Sequence, residues 1–159
     1  MSKVTPFLWY DSEAEEAARF YVSVFPNSKI GTIARYGSAG PGAEGSVMTV
    51  EFVLDGQPFI ALNGGPHFRF NEAVSFSIDC SSQAEVDDYW SRLSEGGEEG
   101  PCGWLKDRFG LSWQVNPARL GELLRDSDRA RSQRVMSAML KMKKIDIAEL
   151  ERAAAGVVD

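Results

Sequence analysis

Apolar and polar residues alternate almost from the start of the chain. Val4, Pro6, Leu8 and Tyr10 point one way and Thr5, Phe7 and Trp9 the other, as in a strand with two packed faces. Asp11 and Ser12 break that pattern. Ser12 and Glu15 then form a capping box, and Ala14, Ala17, Ala18, Tyr21, Val22 and Phe25 follow at helical spacing until Pro26-Asn27. Strands are predicted near Lys29–Tyr36, over Val47–Leu54 and over Pro58–Asn63, with a glycine-rich hairpin loop at 37–45 and a tight turn at Asp55-Gly56.

After Gly64-Gly65-Pro66 the order starts again. Val74, Phe76 and Ile78 alternate with Ala73, Ser75 and Ser77. Ser82 and Glu85 form a second capping box, and Val86, Tyr89, Trp90 and Leu93 make a helical stripe. A short strand near Cys102–Lys106, a turn at Asp107–Gly110 and a strand over Leu111–Asn116 close the second unit. The two units end alike, Phe59-Ile-Ala-Leu-Asn63 beside Ser112-Trp-Gln-Val-Asn116, so an internal repeat is expected with these strands in register. Residues 118–159 fit neither unit. Leu120, Leu123 and Leu124, then Val135, Met136, Met139, Leu140 and Met142, read as helices. Asp146 and Glu149 form a third capping box, with Ile145 and Leu150 as a hydrophobic staple around it. The predicted fold is α+β: module one over 3–64 and module two over 73–117 within a domain of residues 1–117, then a helical extension over 118–159.

Composition changes this picture little. The chain has 159 residues, 43% hydrophobic and 25% charged, ordinary for one globular domain without long disorder. Seventeen Lys and Arg against 23 Asp and Glu give a net charge of −6, which argues against a nucleic-acid partner. The stretch 117–144 holds eight basic residues against three acids, but no aromatic platform is interleaved, so it reads as a solvated helix face. No apolar run is long enough for a membrane span, and the N-terminal stretch turns acidic before an apolar leader core can form. Cys80 and Cys102 make no disulfide framework and read as thiols of a cytoplasmic protein.

Four stretches carry a resemblance. They are Thr5-Pro-Phe-Leu-Trp-Tyr-Asp11, Asn63-Gly-Gly-Pro66, Asn71-Glu-Ala-Val-Ser-Phe76 and Cys102-Gly-Trp-Leu-Lys-Asp-Arg-Phe-Gly-Leu-Ser-Trp-Gln-Val115. With the repeated unit they resemble the vicinal oxygen chelate superfamily of glyoxalase I, ring-cleaving dioxygenases and bleomycin-resistance proteins. Within it they resemble the PhnB-like branch, catalogued as 3-demethylubiquinone-9 3-methyltransferase. The resemblance implies two βαβββ modules forming a curved mixed sheet, a site in its concavity and a homodimer, to which the Met-rich extension would add apolar surface.

The resemblance also implies four metal positions, on the first and last strand of each module. Here they hold Thr5; Ala61, or Asn63 if the register slips by two; Ala73 or Ser75; and Gln114. Neutral hydroxyl and amide groups bind a catalytic divalent metal too weakly, and Glu51 is the one strand carboxylate able to face the concavity. No metal and no cofactor are expected. His67, the sole histidine, reads as a solvated or dimer-contact loop residue without catalytic partners. A Rossmann-type methyl-transfer site is not expected, because neither glycine-rich stretch leads from a strand into a helix.

By strand parity, Thr5, Phe7, Trp9, Phe59, Ala61, Asn63, Ser75, Ser77, Ser112 and Gln114 line the concavity, with Glu51 adding an acceptor. Trp90 and Trp113 read as core, and the parity of Trp104 is open. Without a cation in it, that lining suits a small, weakly polar organic molecule. Three function classes follow: a metal-free small-molecule binder, a metal-dependent lyase, isomerase or dioxygenase, and a methyltransferase.

Overall fold

A computed structural model describes residues 3–157. They form thirteen elements in the order β1(Phe7–Tyr10), α1(Ala14–Val24), β2(Lys29–Arg35), β3(Val47–Leu54), β4(Gln57–Asn63), β5(Ser75–Cys80), α2(Gln83–Ser94), β6(Glu98–Glu99), β7(Trp104–Lys106), β8(Ser112–Pro117), α3(Ala118–Leu124), α4(Arg129–Met139) and α5(Ile147–Ala155). The architecture is α+β. Its strands divide into two four-stranded mixed sheets of the same internal order, β1-β4-β3-β2 and β5-β8-β7-β6, and neither is closed. In each, the first strand runs parallel to the last and the hairpin strands run antiparallel. Two compact units result, divided between Phe70 and Asn71, and the helical extension belongs to the second. The short β6 escaped the sequence pattern because Glu98-Glu99 carries no alternation.

In the first unit α1 covers one sheet face. Tyr21 stacks on Phe52 with ring centres 6.2 Å apart, and Phe52 stacks on Phe59 at 5.3 Å. The predicted Ser12–Glu15 capping box does not form. Glu13 takes the N-cap position without a side-chain bond, and the Ala14 N–H donates instead to Oδ1 of Asn63, at the end of β4 (2.8 Å). A long-range amide replaces the local cap, which no local motif could reveal.

The other two caps form as expected. Ser82 accepts from the Glu85 N–H and Asp146 from the Glu149 N–H, and Ile145 and Leu150 are both fully buried as the staple predicts. In the second unit α2 covers the sheet with Val86, Trp90 and Leu93, against Leu105, Trp113 and Val115.

The extension closes a core of its own. Leu120, Leu123, Val135, Ile145, Leu150 and Ala154 cluster with Leu124, Met139 and Met142 against them, leaving Leu140 exposed. These groups are therefore shielded within one chain, and their number does not itself call for a dimer contact. The segment after α4 docks on the second unit: the Cys102 and Gly103 N–H groups donate to the carbonyls of Met142 and Lys143 (both 2.8 Å), and Gln83 bonds both the Ile145 carbonyl and the Ile147 N–H.

Candidate ligand-binding face

In the second unit, the sheet face turned away from α2 is set by the strand registers. Ser75 pairs with Ser112, Ser77 with Gln114 and Asp79 with Asn116; across β7, Trp104 pairs with Gln114 and Lys106 with Ser112. Paired residues share a face, so hydroxyls, amides, an indole, a carboxylate and an ammonium come together there. Gln114 Nε2 donates to Ser75 Oγ (2.9 Å), and Asn116 Nδ2 donates to Ser77 Oγ (3.0 Å). Ser75 and Gln114 thus stand where parity places them. The question left open for Trp104 is settled by its pairing with Gln114.

Two cavities share Cys102 and Trp104 as walls. One, of about 410 Å³, is lined among others by Glu72, Glu98, Lys106 and Ser112. The other, of about 530 Å³, runs from Gln114 and Asn116 to α3. Lys106 and Glu72 were missed by sequence reasoning, although Lys106 lies two residues after Trp104 and so had to share its face. The expectation of a lining without a cation is corrected accordingly. Glu72 forms an ion pair with Lys106, which holds the Glu72 carboxyl below and the Lys106 ammonium above their ordinary ranges, chiefly through the direct hydrogen bond.

In the first unit the face opposite α1 holds Phe7, Trp9, Glu51, Ile60 and Leu62, given the pairs Phe7 with Ile60, Trp9 with Leu62 and Glu51 with Ile60. Phe7 is 55% exposed. Trp9 is held by a bond from Nε1 to the Gly65 carbonyl and by an edge contact with Phe68. A Cβ on Gly64 would fall 2.3 Å from the Trp9 ring, so this close approach requires glycine. Thr5 precedes β1 and is exposed.

Phe59, Ala61 and Asn63 do not line this face. Phe59 and Ala61 are buried under α1, and Asn63 spends its amide on the α1 cap and on the Val47 carbonyl (3.1 Å). The physical reason is a one-residue slip. The α1-covered Phe59 and Ala61 correspond to Trp113 and Val115, so Asn63 corresponds to Pro117 rather than to Asn116, and a slip of one residue reverses every side chain.

The longest resembling stretch, 102–115, owes much of its form to Asp107. This carboxylate is 2% exposed and accepts from the Phe109 and Leu111 N–H groups (2.8 and 3.1 Å) and from Trp113 Nε1 (2.9 Å). It fixes the turn and the core indole at once. Cys80 is buried, and burial foremost, with Glu85 and Asp79 adding to it, pushes its thiol up to about 12. That makes it a small apolar core residue. Cys102 adopts a left-handed backbone at φ 58°. His67 is exposed beside a recess of the first unit that also holds Asp11, Glu15 and Tyr36.

The metal positions implied by the resemblance hold no metal-binding set. On β4 the positions facing away from the helix are Ile60 and Leu62, which have no donor atoms, and Gln114 offers an amide already bonded to Ser75. Among the described residues no three His, Cys, Asp or Glu side chains come together as a metal set. These residues do not fit a catalytic divalent metal.

Two βαβββ modules with the same internal strand order define a glyoxalase-like fold. A family model described as 3-demethylubiquinone-9 3-methyltransferase matches residues 2–116, and the chain belongs to that PhnB-like family. It is 36% identical to a PhnB protein from Bacillus cereus, with 74% of this chain and 100% of that one covered and a TM-score of 0.66. Protein PA1353 from Pseudomonas aeruginosa is 21% identical over 74% of this chain and 98% of its own, with a TM-score of 0.62. The fosfomycin resistance protein FosX from Mesorhizobium loti is 15% identical over 79% of this chain and 100% of its own, with a TM-score of 0.56. The last two show a shared fold alone. No curated protein matches the chain.

Proposed function

We propose that this protein binds a small, weakly polar organic molecule on the open sheet face, without a catalytic metal. The observation that carries this reading is the face of the second unit, where the bonded Ser75–Gln114 and Ser77–Asn116 pairs stand beside Trp104 and two cavities. Neutral amides and hydroxyls both donate and accept, and the indole supplies an apolar wall. The absence of imidazole and carboxylate from the metal positions supports binding over metal-dependent lyase, isomerase or dioxygenase chemistry. Methyl transfer has less support, because the glycine-rich 37–45 loop joins β2 to β3 and the 64–66 stretch follows β4 into a loop.

Capture of metabolites from extract on the immobilised protein, followed by mass spectrometry, tests the reading. A captured molecule should bind Gln114→Ala more weakly by about 1 kcal/mol or more, the value of one buried hydrogen bond. Unchanged affinity would remove this face as the site. About one zinc, nickel or iron per purified chain would favour the metal-dependent enzyme, and calorimetric binding of S-adenosylmethionine would favour methyl transfer.

We infer further that the protein is a cytoplasmic homodimer. Val4, Phe7 and Phe68 stand 76%, 55% and 65% exposed on the first unit, apolar area that a second copy could cover. Both cysteines are free, as suits a reducing compartment. Among the described residues no helix is long and apolar enough to cross a membrane. Light scattering of the wild type and of Phe7→Ser tests the dimer; a monomeric wild type refutes it.

A further inference from the structure

Ser112 is 1% exposed, and its Oγ has no hydrogen-bond partner. Buried hydroxyls are normally paired, because removal from water is costly without a substitute bond. Ser112 lines the cavity of about 410 Å³, with Trp104 and Cys102 on its walls. An oxygen of a bound molecule is the partner that this hydroxyl lacks. The backbone supports such a site: the Cys102 and Gly103 N–H groups are tied to the docking segment of the extension, and the Gly100 N–H donates to the Trp104 carbonyl (2.8 Å), so the wall is held from two sides.

Charge narrows the occupant. Two carboxylates, Glu72 and Glu98, stand on the cavity wall against one ammonium, Lys106, while the Glu99 carboxylate is turned to α2 and accepts from Trp90 Nε1 (3.0 Å). Lys106 pairs across the strands with Ser112, so it stands where a free ammonium and a hydroxyl could together receive a carboxylate. Glu72, from the segment before β5, already occupies that ammonium. That cation is engaged, and the remaining acid, Glu98, repels an anion.

We propose, on the reading of this face as a small-molecule site, that the cavity takes a neutral, flat organic molecule whose single hydroxyl or carbonyl oxygen pairs with Ser112, and that Glu72 makes it reject carboxylates by masking Lys106. Trp104 supplies the flat apolar wall for the ring or conjugated body. Ser112 determines depth and orientation, and Glu72 determines charge selectivity.

The test uses the full-length protein, with phenol and benzoate as probes followed by amide chemical shifts in NMR titrations. Phenol is expected to shift the amides of Trp104, Lys106 and Ser112 and to bind more tightly than benzoate. Ser112→Ala should weaken phenol about fivefold, the effect of one neutral hydrogen bond. The same substitution should leave the ligand-free protein at least as stable as wild type, since it removes a buried hydroxyl that has no partner to lose. Glu72→Gln should strengthen benzoate about threefold by releasing Lys106. Benzoate binding the wild type as tightly as phenol, or unaltered by Glu72→Gln, overturns the charge filter. Phenol shifts confined to Gln114 and Asn116 overturn the assignment to Ser112 while leaving small-molecule binding on this face in place. No phenol shift in the second unit at about 10 mM, generous for a fragment of this size, overturns the inference as a whole.

Discussion

Replacing Asp107 tests whether the 102–115 stretch is a structural device. In Asp107→Asn the amide oxygen can still accept the Phe109 and Leu111 N–H groups, but the amide nitrogen then faces Trp113 Nε1, donor against donor. One charge-assisted bond is lost at a site 2% exposed, so the expected cost is about 2–3 kcal/mol. Asp107→Ala releases all three donors and should cost about 4–5 kcal/mol, part of it recovered by water reaching the turn. Urea unfolding followed by circular dichroism reads both values. Trp113→Phe is destabilising alone, because the indole fills the core. In the Asp107→Asn background it also removes the clashing N–H, so a double-mutant cycle should show a coupling of about 1.5 kcal/mol or more. A coupling near zero, or an Asp107→Asn protein as stable as wild type, would refute the account of Asp107 as the organiser of this turn.

Four further outcomes are expected. A thiol raised as far as that of Cys80 contributes stability in full below the unfolded thiol pKa of about 8.5, and loses it as pH rises toward about 12; wild-type stability should fall over that window and Cys80→Ala should fall less, as pH-dependent urea melts will show. In the native protein at pH 8, Ellman's reagent should label half-buried Cys102 and leave Cys80 until denaturant is added; equal labelling rates would contradict the burial of Cys80. Asn63→Ala removes the α1 cap and the bond to Val47 and should cost about 1–2 kcal/mol, whereas Ser12→Ala should cost almost nothing by thermal melt. Gln83→Ala frees the Ile145 carbonyl and the Ile147 N–H and should loosen the extension, seen as faster amide exchange over α5 with the oligomeric state by light scattering unchanged.

The sequence by itself determined the repeat and most of its elements, because period-two and helical patterns are local properties of the chain. Ser82 and Asp146 became caps as written, since each bonds a backbone group three residues away. Ser75 and Gln114 share a face as read, because parity within β5 and β8 survives in a parallel pair. Only the tertiary structure decided which strand ends correspond. Asn63 and Asn116 look equivalent in sequence, yet one caps α1 under the sheet and the other bonds Ser77 on the far face. Relative register is set by what packs beneath each sheet, here Phe59 against Phe52 and Trp113 against Asp107, and those contacts join residues distant along the chain. The same holds for Lys106, whose charge was visible in the sequence. Its ion pair depends on Glu72, thirty-four positions away, and its place beside the unpartnered Ser112 hydroxyl depends on the β7–β8 pairing.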